Sequence, residues 1–338
     1  MASDPAGPEL TDAAGARQAA EARQAAEAGQ AAEAGQAAGA GQAAGAGRPP
    51  RRAGRNLPVA IGVAVALGGL ALVTLLTVKA TFLLYVGAAV GVALAELAVA
   101  LGTRDIRVPL PPAAVGAAAI LTCSYWLGPR AALAALALTV AAVLAWRLCP
   151  PLAAWAPRGL PWAGSRGGTA GYARDVAGGV FAVAYLPLLA SFVVAMLAPA
   201  DGPRRVLTFI IVTICSDIGG YVAGITLGRG GRHPMAPAIS PNKTWEGFAG
   251  SAAACLGAGA ACLPLLLHHP AWQGVLTGAA AVLAATLGDL AESTIKRDLG
   301  IKDMGTLLPG HGGILDRIDS LLVSAPVVWL LLAAFVPG

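Results

Sequence analysis

From Leu57 onward the chain is a series of apolar runs separated by short polar breaks. The runs fall at about 57–78, 80–101, 109–128, 131–149, 176–199, 206–227, 248–268, 271–290 and 321–336. Each is near the roughly 20 residues that carry a helix across a bilayer core. The pattern predicts an all-α polytopic membrane bundle of about nine transmembrane helices, the fourth and last of them short. An outer-membrane barrel does not fit, because its strands alternate apolar and polar residues while these runs are unbroken.

Composition agrees. Of 338 residues, 57% are hydrophobic and 12% charged, about half the charge usual in soluble domains. The formal charge of +5 is too modest to imply nucleic acid. In a membrane protein, Lys and Arg mark cytoplasmic loops instead. With the N-terminus inside, the outer segments hold only Lys79, Arg130, Arg204 and Arg205, so the N-terminus is expected to be cytoplasmic. The five cysteines lie in or beside apolar stretches without metal-ligand spacing, and they read as small buried residues.

Residues 1–56 stand apart. From Gln18 a six-residue unit repeats (QAAEAR, QAAEAG, QAAEAG, QAAGAG, QAAGAG) and RPPRRAGR follows at 48–55. Six is not a coiled-coil period, and no short apolar stretch follows a basic start as in a signal peptide. A disordered tail is expected over 1–56, then N-terminal membrane helices over 57–200 and a C-terminal helical part over 201–338 that carries the chemistry.

That last expectation rests on the acidic residues. Between 57 and 216 there are only Glu96, Asp105, Asp175 and Asp201, whereas 217–319 holds Asp217, Glu246, Asp289, Glu292, Asp298, Asp303, Asp316 and Asp319. Asp217 lies inside an apolar run, where an ionised carboxylate facing lipid costs several kcal/mol or more and so normally faces a polar cavity. Asp289, Glu292, Ser293 and Lys296 follow i, i+3, i+4, i+7 spacing and share one helix face, an arrangement suited to magnesium and phosphate but also shown by any amphipathic helix emerging into water. Glu96, alone in the second run, reads as a snorkelling or paired residue. Two polar loops, about 228–247 and 291–320, hold most of the rest. In the first, Ser240-Pro241-Asn242-Lys243-Thr244 reads as a turn into a helix, with Asn242 or Thr244 as cap and Lys243 available to phosphate. The second contains Pro309-Gly310-His311-Gly312-Gly313, able to bring backbone N–H groups to phosphate oxygens, followed by Asp316, Arg317 and Asp319 at a helix start. His311 could be a ligand, an acid or a turn residue.

The stretch Ser293-x-Ile295-Lys296-Arg297-x4-Lys302-Asp303-x-Gly305-x2-Leu308-Pro309-x-His311-Gly312-Gly313-Ile314-x-Asp316-Arg317-Ile318-Asp319 resembles the signature of the phosphatidate cytidylyltransferase (CDP-diacylglycerol synthase) family at every specified position. SPNKTWEG at 240–247 and Ser216-Asp217…Tyr221 are similar to that family too, with Gly220 where Ala is expected. The specific likeness covers about 216–320. It implies an enzyme of the plasma membrane's inner face that joins CTP and phosphatidic acid into CDP-diacylglycerol and pyrophosphate with Mg2+, leaves room for a second cation, and suggests a dimer. Metal binding then falls to Asp217, Asp289, Asp316 and Asp319. The resemblance and the residue types together place Lys296, Arg297, Lys302, Asp303, His311, Asp316, Arg317 and Asp319 in the catalytic set. Ser240, Asn242, Lys243, Thr244, Glu246, Ser293, Gly310, Gly312, Gly313 and Tyr221 are expected to contact substrate.

Two rivals remain at this level. A cation- or proton-coupled transporter could use Asp217, Glu96 and Asp289 as a pathway, yet no matching half-repeat is visible in the chain. A CTP-dependent enzyme with another lipid acceptor would share the same charged motif.

Overall fold

The computed structural model describes residues 57–146, 148, 171–228, 233–308 and 312–336. The expected tail at 1–56 and the segment 149–170 lie outside the described residues, as do His311, Gly310 and Pro309.

The described residues form an all-α bundle with a single small hairpin. In chain order the helices are α1 (Leu57–Thr77), α2 (Lys79–Gly102), α3 (Leu110–Trp126), α4 (Pro129–Trp146), α5 (Tyr172–Leu197), α6 (Gly202–Thr226), α7 (Trp245–Leu267), α8 (Ala271–Leu299) and α9 (Leu315–Phe335). Seven of these are long and apolar enough to cross a membrane, and α3 and the Gly62–Thr77 part of α1 are shorter apolar helices. Each predicted run therefore coincides with a helix. The helices extend past the apolar runs where polar turns continue the same register. Thus α8 continues to Leu299, where Gly300 closes it in the left-handed conformation at φ 72°, and α9 starts at Leu315, six residues before its apolar run.

Two prolines inside spans bend the backbone locally. Pro187 and Pro264 each sit in a five-residue π-helical turn, Ala184–Leu188 and Leu263–Leu267. Proline has no N–H and its ring crowds the carbonyl one turn back, so a wider turn accommodates it without ending the helix.

Loop 228–247 differs from the expected simple turn. Its described part forms an antiparallel hairpin of β1 (Pro234–Ala236) and β2 (Ser240–Thr244), with Pro234 opposite Thr244 and Ala236 opposite Ser240. Strand β2 runs directly into α7, and the Thr244 hydroxyl accepts the Gly247 N–H at 3.1 Å, making Thr244 the N-cap.

Packing is closest among the last helices. Helix α6 lies along α7, α7 along α8, and α8 along α9. At the α6–α7 contact a Cβ on Gly219 would stand 2.5 Å from the Gly250 carbonyl oxygen, so only glycine permits this approach. The Ser251 hydroxyl donates to the Ser216 carbonyl at 2.6 Å across the same seam. In the first half α3 packs on α4 and on α5, where the buried Ser124 hydroxyl donates to the Ser191 carbonyl at 2.8 Å. Helix α2 touches both halves, packing on α3, α5 and α9.

Candidate active site

The two polar loops and the intramembrane carboxylates meet at one cavity of about 510 Å³. Helix α6 contributes Ser216, Asp217, Gly220 and Tyr221; the hairpin contributes Asn242, Lys243 and Thr244; α8 contributes Thr286, Asp289, Glu292 and Lys296; α9 contributes Asp316, Arg317, Asp319 and Ser320. Asp303 enters from the loop between α8 and α9. Of the stripe along α8, Asp289, Glu292 and Lys296 form part of the cavity wall, and Ser293 is not among the lining residues. Helix α9 can bring its carboxylates close because α8 has Gly288 at the crossing, where a Cβ would stand 2.8 Å from the Asp319 carbonyl oxygen.

Six acidic side chains line this space against three basic ones, Lys243, Lys296 and Arg317. Lys243 Nζ pairs with Asp289 at 2.5 Å, joining the hairpin to α8. Lys296 Nζ bridges Glu292 at 2.5 Å and Asp316 at 2.9 Å, joining α8 to α9. Asp316 is further occupied, since it accepts the Met304 N–H at 2.9 Å and the Gly313 N–H at 2.8 Å on Oδ2. It thereby clasps both ends of the loop that carries the His-Gly-Gly turn. Asp319 is 8% exposed and accepts the Ser320 N–H at 2.8 Å. Glu292 is 1% exposed, and its Oε1 is buried with no hydrogen-bond partner among the described residues; the carboxyl of Asp319 lies alongside it. Two buried carboxyls side by side are costly unless a shared proton or a cation joins them.

Of the residues expected from the sequence, Asp217, Tyr221, Asn242, Lys243, Thr244, Asp289, Lys296, Asp303, Asp316, Arg317 and Asp319 line the cavity. Ser293 lies one turn along α8 with its hydroxyl 3.5 Å from Asp289, and Gly312 and Gly313 pack on the Asp316 and Glu96 carboxylates respectively. Others are elsewhere. Arg297 Nε donates to the Ile239 carbonyl at 3.3 Å and so ties the hairpin turn to α8. Glu246 pairs with His233 at 2.5 Å. Ser240 and Lys302 are not among the lining residues. Glu292 lies in the same stripe, and its burial, which spacing does not reveal, makes it the most constrained acid there. Glu96 is placed by the fold rather than by any local pattern: its carboxylate accepts the Ile314 and Leu315 N–H groups at 3.0 and 2.9 Å.

The lining fits a hard divalent cation by the chemistry of its donors. Carboxylate oxygens are the ligands Mg2+ takes, and the unpartnered Glu292 Oε1 is one. Among the described residues no three His, Cys, Asp or Glu side chains converge as a finished metal cage. Mg2+ does not require such a cage, since one or two carboxylates and substrate phosphates can share the ion.

Fold and cavity together define a multi-pass α-helical membrane protein with a carboxylate-rich polar cavity set among its last four helices. The chain belongs to the cytidylyltransferase family, whose model it matches over residues 58–335. It is 40% identical over 286 residues to a phosphatidate cytidylyltransferase of Mycobacterium leprae, covering 83% of this chain and 89% of the relative. The phosphatidate cytidylyltransferase of Mycobacterium tuberculosis H37Rv is 38% identical over 283 residues, 83% of this chain and 84% of its own length. A Brucella suis protein of the same name is 40% identical over 130 residues, 38% of this chain and 47% of that protein.

Proposed function

We propose that this protein transfers the cytidylyl group of CTP to phosphatidic acid, giving CDP-diacylglycerol and pyrophosphate, at the cavity between α6 and α9. The observation that carries the reading is the surplus of carboxylates over cations in that cavity, with Glu292 Oε1 buried and unpartnered. Such a lining repels a bare triphosphate and suits one that arrives with divalent metal. The names of the relatives supply the substrates.

A phosphate oxygen of the lipid forms a bond to the α-phosphorus of CTP as the bond from that phosphorus to the pyrophosphate oxygen breaks. The nucleophile is already anionic, so no strong general base is required. The difficulty lies in bringing two anions together in line, which is a task of positioning and charge neutralisation. Lys243, which reaches the cavity from the hairpin, and Arg317, which reaches it from α9, grip phosphate oxygens. Asn242 orients the nucleotide from β2. Lys296 and Asp316 hold the loop and α9 in register. Mg2+, which one or two of the lining carboxylates Asp217, Asp289, Asp319 and Glu292 would hold together with substrate phosphates, would supply the remaining positive charge for the triphosphate and the developing pyrophosphate.

Lipid access is supported on the α6 side. Tyr221 borders the cavity at 71% exposure, beside the exposed apolar residues Ile218, Val222 and Ile225 on the same helix. The distribution of Lys and Arg supports an N-terminus and a cavity on the cytoplasmic side, where the nucleotide is, in the plasma membrane of a bacterium.

The test is turnover of purified protein in detergent with Mg2+ and radiolabelled CTP. A labelled CDP-lipid and pyrophosphate, dependent on phosphatidic acid and lost with EDTA, are expected. Absence of product from intact, CTP-binding protein would move the acceptor to another lipid, and absence of CTP binding would overturn the reading.

A further inference from the structure

Glu96 stands on α2, nearly 200 residues before the charged motif, and no local spacing ties it to the chemistry. In the structure its two carboxylate oxygens take the N–H groups of Ile314 and Leu315 at 3.0 and 2.9 Å. These N–H groups open α9, and like every helix start they have no partner within the helix. A negative charge is favoured at that end. The loop is also shaped to this carboxylate. A Cβ on Gly305 would stand 2.4 Å from Glu96 Oε1, and one on Gly313 would stand 2.5 Å from Oε2.

The loop between α8 and α9 is therefore held between two carboxylates. Asp316 grips it from inside the motif through Met304 and Gly313. Glu96 grips the residues that follow, from a different helix, one and two positions before Asp316. Arg317 and Asp319 lie on the first turns of α9, so the direction in which they enter the cavity depends on where that turn is pinned.

We infer that Glu96 is a positioning residue for the cytidylyl transfer, fixing the start of α9 so that Asp316, Arg317 and Asp319 present to the cavity in one arrangement. The inference rests on the reading of that cavity as the site of catalysis. Glu96 touches no substrate in this account; it acts through the backbone of Ile314 and Leu315. It also gives the cavity of the C-terminal half a physical support in the N-terminal half, by way of α2.

The full-length protein in detergent provides the test. Glu96→Gln keeps the size of the side chain but leaves one oxygen to accept and turns an NH2 toward the other N–H. Its kcat is expected to fall about tenfold or more, with a smaller change in KM for CTP, while amide exchange at Ile314 and Leu315 quickens. Gly305→Ala presses a methyl group against Glu96 Oε1 and should lower kcat in the wild-type background. In a Glu96→Ala background, where that space is open, the same substitution should add less than about a twofold loss, because the two act through one contact. Wild-type kcat per folded molecule in Glu96→Gln, or independent multiplicative losses in the double variant, would overturn the inference. Should the Glu96 variants fail to accumulate, Gly305→Ala decides alone: lowered kcat with faster exchange at 314 and 315 supports the role, and unchanged exchange or unchanged kcat rejects it. Asp289→Asn measured in parallel separates the two readings, since turnover and a Mg2+ requirement both unchanged in that variant would remove the cavity reading itself.

Discussion

Asp289 and Asp316 share a cavity and a charge, yet their surroundings assign them different work. Among the described residues Asp289 forms an ion pair with Lys243 only, on a side chain 39% exposed, whereas both oxygens of Asp316 are engaged by Lys296, Met304 and Gly313. Asp289→Asn is accordingly expected to raise the Mg2+ concentration needed for half-maximal turnover, by roughly tenfold or more. Asp316→Asn should cut turnover with little change in that requirement, because it loosens the loop. Magnesium titrations of the two variants check the contrast, and equal shifts in both would refute it. Local spacing made much of this site legible: an acid inside an apolar run marks Asp217, and helical periodicity puts Asp289, Glu292 and Lys296 on one wall. What spacing cannot give is the state of each group. That Glu292 is buried without a donor, or that Asp316 is saturated, follows only from which helix lies opposite. Glu96 was illegible as a support for the same reason, since its partners are backbone groups 218 and 219 positions away.

At the scale of elements, hydropathy located the helices well because each span buries or exposes apolar side chains over its whole length. It placed their ends poorly. Polar turns such as Glu292–Leu299 keep helical hydrogen bonding beyond the apolar stretch, and a hydropathy average does not register them. The hairpin was hidden because Ser240-Pro241-Asn242 carries turn chemistry, although Thr244 was already readable as a cap. That cap has a measurable weight. Thr244→Ala removes the bond to Gly247 N–H and is expected to cost about 1 kcal/mol. Because β2 leads straight into α7, the loss should lower the thermal midpoint in detergent modestly and also weaken CTP binding through Lys243 and Asn242. An unchanged midpoint together with unchanged KM for CTP would show that the cap carries neither.

For the molecule as a whole, every residue lining the cavity falls between Ser216 and Ser320, and the family match begins at residue 58. Removal of residues 1–47 should leave turnover close to that of the full chain, measured on protein that inserts normally; a dead but folded truncation would contradict this. Composition and charge asymmetry were enough to predict a membrane bundle and a side for its chemistry, while the way α2 reaches across to α9 needed the fold. The Lys243–Asp289 pair has a consequence at this scale. It closes the cavity like a latch with one half on the hairpin and the other on α8. Drawing Lys243 onto a phosphate uncovers Asp289, and drawing Asp289 onto a cation releases Lys243. Two ligands that each undo the same latch must help one another, and by the same factor in either order. On the proposed reading, nucleotide and metal would then enter as a cooperative pair, each alone a weak guest.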